Sequence, residues 1–156
     1  MGAAPASVTS RRALILAAMG LLGCVAAAPP PLVLPDWMQP ALRWRQRLSA
    51  ADNARLDRAM LDVLPGYHSR HGKVLQREFA VLRPQGVEQV LAAVDAALAA
   101  AGRPLVRQAV SGSQDGQQQW RWSADKAVPV VLVWLDPADP AQADRPGFVL
   151  LFEPGR

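Results

Sequence analysis

Cysteine is almost missing from this chain: one in 156 residues, which excludes a disulfide-stapled scaffold. Tyrosine occurs once, histidine twice, and 15 of the 17 basic residues are arginine. Two histidines and one thiol supply few ligands for a closed zinc site, which needs four. No glycine-rich phosphate loop, G-x-S-x-G elbow or internal repeat occurs. What is present is ordinary globular material, 51% hydrophobic and 19% charged, enough for one modest core and unlike a disordered or collagenous chain. The net charge of +4 falls to +2 if Arg11 and Arg12 leave with a leader. So small an excess does not call for nucleic acid, and none is expected as a partner.

Ser10-Arg11-Arg12 places positive charge directly before Ala13–Gly23, an uncharged run of 11 residues. As a helix at ~1.5 Å per residue this run reaches roughly 16 Å, against ~30 Å of bilayer hydrocarbon, too short for a permanent span. Charge, short apolar run and small residue, in that order, form an export signal over residues 1–23. The lone cysteine follows in Leu21-Leu22-Gly23-Cys24, which resembles the lipobox of bacterial lipoproteins. That resemblance covers residues 1–24 only and implies lipidation of Cys24 with cleavage just before it. A cut within Val25–Ala28, giving a soluble form, and an uncleaved anchor are the competing outcomes. Ser10–Leu14 also resembles a twin-arginine signal, so general secretion and twin-arginine export both stay open. Residues 24–35 then read as lipidated cysteine plus tether, because four prolines among residues 29–35 favour an extended strut reaching roughly 30 Å. Val25, not Asp, follows the cysteine, which by the family's sorting rule implies the periplasmic side of the outer membrane.

Over residues 36–156 the pattern predicts one α+β domain. Trp37, Ala41, Trp44 and Leu48 share a helical spacing, with Pro40 as a possible break. Ser49-x-x-Asp52 opens a second helix whose stripe is Leu56, Met60 and Val63, and Pro65-Gly66 is its expected end. A half-buried strand over Lys73–Leu82 and a helix over Gly86–Ala101 follow, then strands at Pro104–Val110, Gln118–Ala124, Val128–Leu135 and Phe148–Phe152. The fold class is α+β: an N-terminal helical pair, then β-α-β-β-β-β with a largely antiparallel sheet. Val128–Leu135 is apolar on both sides and belongs at the centre, with Gly86–Ala101 on one face and the N-terminal helices or a partner subunit on the other. Trp120 and Trp122 share a face and read as core; a four-residue turn puts them opposite Val131 and Pro129.

Chemistry-bearing candidates are few. His68 and His71 stand in Tyr67–Gly72, read as solvated loop residues, with Glu78 as a conceivable third metal ligand. Ser69, Ser111, Ser113 and Ser123 have no base at a signature spacing, and Asp136, Asp139 and Asp144 alternate with prolines as in a spacer. No catalytic residue, metal or cofactor is assigned. The densest basic stretch is Arg43-Trp44-Arg45-Gln46-Arg47. With Trp37 it mixes aromatic and arginine residues, as interface hot spots do, and follows the tether directly. The expectation is therefore an exported envelope lipoprotein with a small non-catalytic binding domain. Its partners would be the membrane, through the lipid, and a protein or cell-wall component touched by Trp37, Arg43, Trp44, Arg45 and Arg47. The alternative is a small periplasmic hydrolase or metal-binding protein using His68 and His71.

Overall fold

The computed structural model describes residues 29–110, 116–137 and 145–156. The leader, Cys24, Ser111, Ser113, Asp115, Asp139 and Asp144 lie outside the described residues. The elements are β1 (Met38–Pro40), α1 (Leu42–Arg45), α2 (Ala50–His71), β2 (Val74–Val81), α3 (Val87–Ala100), β3 (Val106–Val110), β4 (Gln117–Ser123), β5 (Val130–Leu135) and β6 (Gly147–Pro154). The six strands form one sheet in the order β1-β2-β6-β5-β4-β3, every neighbouring pair antiparallel. The α+β class with an antiparallel sheet is thus what the chain adopts.

Helices pack on both faces of this sheet. On the first face Phe79, Val81, Trp122, Val130, Leu132, Trp134, Val149 and Leu151 pack against Val90, Leu91, Val94 and Leu98 of α3. On the second, Ala80, Val131, Val133, Leu135, Phe148, Leu150 and Phe152 pack under Leu56, Ala59, Val63 and Tyr67 of α2. All six residues of β5 are buried, the expected result for an apolar run between two helical layers. Each large side chain so buried contributes about 1.5–3 kcal/mol, before the chain entropy that opposes it.

The predicted first helix is replaced by a short edge strand and a single turn. Pro40 has no N–H to donate and disfavours helical geometry at Gln39, so the chain stays extended and β1 pairs with the end of β2. Ala41 N–H then bonds Glu78 O at 3.0 Å, and α1 is only one turn long.

In α2, Ser49 caps the N-terminus as expected, its Oγ accepting from Asp52 N–H at 3.1 Å. The helix does not stop at Pro65-Gly66 but runs through to His71, where Gly72 turns the chain away at φ +78°. Pro65 is exposed, while two residues on Tyr67 is buried and its hydroxyl donates to Pro129 O at 2.7 Å. Tertiary anchoring of this last stretch outweighs a local proline cost of about 3 kcal/mol.

The tryptophan register differs by one residue from expectation. Trp120 faces Leu132 and Trp122 faces Val130, which puts both rings on the α3 side. Trp122 is fully buried and donates its indole N–H to Asp95 at 2.6 Å.

The Pro-rich segment is not free of the domain either. Leu32 is 2% exposed within the first-face core, and Leu34 packs beside it. Leu32 N–H donates to Glu153 Oε1 at 3.0 Å, and the same buried carboxylate is ion-paired with Arg77. The folded unit therefore begins at Leu32 or earlier, not at Asp36.

Candidate functional site

The chain passes over the first face at residues 32–37, turns at the β1 edge and reaches the second face through α1. That path separates the residues expected to form one contact surface. Trp37 packs, half-buried, against the first-face core, and Trp44 against the second. Arg43 and Arg47 are exposed. Arg45 is not available to a partner: Nε and Nη2 reach the two oxygens of Glu78 at 3.0 and 3.2 Å, and Nη1 pairs with Asp57 at 2.7 Å. Burial alone would lower its pKa, but the bonds to Glu78 and Asp57 outweigh it and raise the value. Trp37 and Trp44 thus support the two cores from opposite sides, and Arg45 fastens α1 to β2 and α2. Only Arg43 and Arg47 keep the character of a basic surface.

His68 and His71 lie on the last turn of α2, not in a loop. His68 is exposed; His71 sets its ring edge-on to Tyr67, centroids 5.1 Å apart. Glu78 is engaged with Arg45, so it does not join them. Among the described residues no group of three His, Cys, Asp or Glu side chains gathers where a metal ion could be held.

A different region is open. On the second face α2 covers β2, β6 and β5, whereas Gln119 and Arg121 of β4 and Val110 of β3 line a cavity of about 230 Å³. Its wall is the α2 segment with Asp62, Gly66, Tyr67, Arg70 and His71. Arg121 is brought there by strand alternation: Trp120 and Trp122 point to α3, so Gln119, Arg121 and Ser123 point the other way. Arg70 bends back to donate from Nε to Gly66 O at 3.1 Å. Arg121 Nε is buried with no hydrogen-bond partner, one of two such side-chain nitrogens among the described residues, the other being Arg103 Nη1.

Electrostatics in the cavity follow from this geometry. Burial, then the charges of Arg121 and Arg70, pull the His71 pKa below its ordinary value. The phenol of Tyr67 is pushed up to about 12, chiefly by burial. Asp62 is the only acid among the lining residues. The cavity therefore gathers two permanent cations and one imidazole. The QQQWRWS alternation is the sequence signal for this second face: if Trp120 and Trp122 are core, Gln119 and Arg121 must point the other way.

Comparison with family models, curated proteins and solved structures finds no match for this chain. No helix among the described residues is long and apolar enough to cross a membrane.

Proposed function

We propose that the chain is an exported envelope lipoprotein, anchored through Cys24 on the periplasmic side of the outer membrane, whose domain binds a partner or ligand without catalysis. The observation that carries the binding part is the half-covered second face, where Gln119 and Arg121 stand open beside α2. The edge strand β3, exposed along all five residues with Val106 64% exposed, borders this opening. The anchoring part rests on Leu21–Cys24 and on the docking of Leu32. Only seven residues separate Cys24 from Leu32, a reach of at most roughly 29 Å, so the domain would sit close to the lipid.

Two measurements on the full chain test this reading. Intact mass of the protein from membranes should show a chain beginning at an acylated Cys24, absent from Cys24→Ser; an unmodified chain beginning at Met1 overturns the anchor. Hydrogen exchange should show the β3 amides better protected in native envelope membranes than in uncharged detergent. Equal exchange in the two settings overturns the binding surface.

A further inference from the structure

The cationic cavity on the second face has features that point to a ligand class. Three elements converge on it: the end of α2 supplies Arg70 and His71, β4 supplies Arg121 and Gln119, and β3 closes one side with Val110. A buried nitrogen without a partner is costly, and Arg121 Nε is one. Among the described residues no acid is paired with Arg121 or Arg70, whereas Arg45, Arg77 and Arg107 each hold a carboxylate. A larger hollow of about 560 Å³ beside Pro29 and Pro31 is rimmed by His68, Lys73 and Arg156, all exposed, and buries no unpartnered atom.

We infer that this cavity binds a phosphate-type dianion, with the guanidinium groups of Arg70 and Arg121 and the imidazole of His71 as its cradle. The inference rests on the reading of the domain as a binding module and names the ligand class of its open face. Charge and geometry select phosphate over carboxylate. Two fixed positive charges match a dianion, and donors arriving from a helix and a strand suit a tetrahedral group better than a planar one. Gln119 adds a neutral amide donor on the strand side. Without a ligand, His71 meets Arg121 from β4 and Arg70 from its own helix, with Asp62 the one acid lining the cavity. An incoming phosphate reverses the sign of that field, so binding and protonation of His71 favour each other.

The whole chain contains two histidines, which makes imidazole NMR of the full chain in uncharged detergent a direct probe. Inorganic phosphate, exchanged for chloride at constant ionic strength, should raise the His71 midpoint by about one pH unit. His68 should not move, which separates the site from general screening. Arg121→Gln should abolish the response. Arg70→Gln, an exposed position on α2, should weaken it severalfold and keeps the test valid if the first variant folds poorly. Nanodiscs of phosphatidylcholine doped with phosphatidic acid form the second arm. A His71 response there without added phosphate assigns the phosphate to a lipid headgroup, and a response to free phosphate alone assigns a soluble ligand. No His71 response in either arm, an equal response to acetate, or an undiminished response in both arginine variants overturns the inference. Any of these could occur with Cys24 lipidated and β3 protected in membranes, so the anchored-module reading stands or falls separately.

Discussion

Tyr67 is the only tyrosine in the chain, so its titration can be read without ambiguity. Burial pushes its pKa up to about 12 from the ordinary 10, which means the folded state favours the neutral phenol. The associated stability is fully present below pH 10 and is lost as pH rises from there towards 12. Absorbance at alkaline pH should show a midpoint near 12 in the folded protein and near 10 in denaturant; a folded midpoint near 10 would place the ring in water. Arginine residues differ more than their spelling suggests. Arg43 and Arg47 changed together to Gln should alter stability by less than about 0.5 kcal/mol. Arg45→Gln should cost about 1–2 kcal/mol, because it strips a two-point contact from half-buried Glu78. Urea denaturation of the two variants checks this, and equal midpoints would refute the structural role of Arg45. Nothing in Arg43-Trp44-Arg45-Gln46-Arg47 distinguishes the middle arginine, since its partner is 33 residues away and on another element. For the same reason the convergence of Arg70, His71 and Arg121 could not be read from the chain.

At the scale of elements, periodicity was a good guide wherever one face was apolar. The strand over residues 74–81, the helix over 87–100 and the buried β5 lie within a residue or two of expectation. Errors came where tertiary contacts overrule local rules: Pro65 inside α2, held by the burial of Tyr67, and the edge strand at Met38, held by pairing with Val81. The one-residue error at Trp120 and Trp122 arose from the turn length between β4 and β5, which alternation alone does not specify. Gly147 at the start of β6 has a purpose that only packing shows. A Cβ there would lie 2.3 Å from Cη2 and 2.5 Å from Cζ2 of the Trp134 ring. Trp134 is meanwhile fixed by its indole N–H, which donates to Asp136 at 2.7 Å. Gly147→Ala should therefore cost about 1–3 kcal/mol and alter the near-ultraviolet dichroism of tryptophan. Unchanged stability and spectrum would mean that the ring is free to move aside.

For the molecule as a whole, the segment that sequence composition marks as a spacer is structural from Leu32 onward. A proline-rich stretch reads as a free strut because prolines forbid helix and supply few donors, and both statements are true of residues 29–35. What they do not reveal is that two leucines between the prolines alternate with exposed Val33 and face the first-face core. They also do not reveal Glu153, buried on β6 and 121 residues distant, which takes the Leu32 N–H as one partner and Arg77 as the other. A carboxylate only 1% exposed is tolerable because charge and hydrogen bonds satisfy it from two sides. The two pictures make opposite predictions for Leu32→Ala in the full chain. A free strut would leave domain stability unchanged, whereas a docked side chain leaves a cavity costing about 2–5 kcal/mol. Val33→Ala, at a residue 88% exposed, supplies the matched control and should shift stability by less than about 0.5 kcal/mol. Urea melts of both variants, with unchanged slope, decide between them. A large loss for Leu32→Ala alone would mean that the domain is sewn to its own leash. Equal, negligible losses would return residues 29–35 to the role of a spacer and detach Glu153 from any part in holding them.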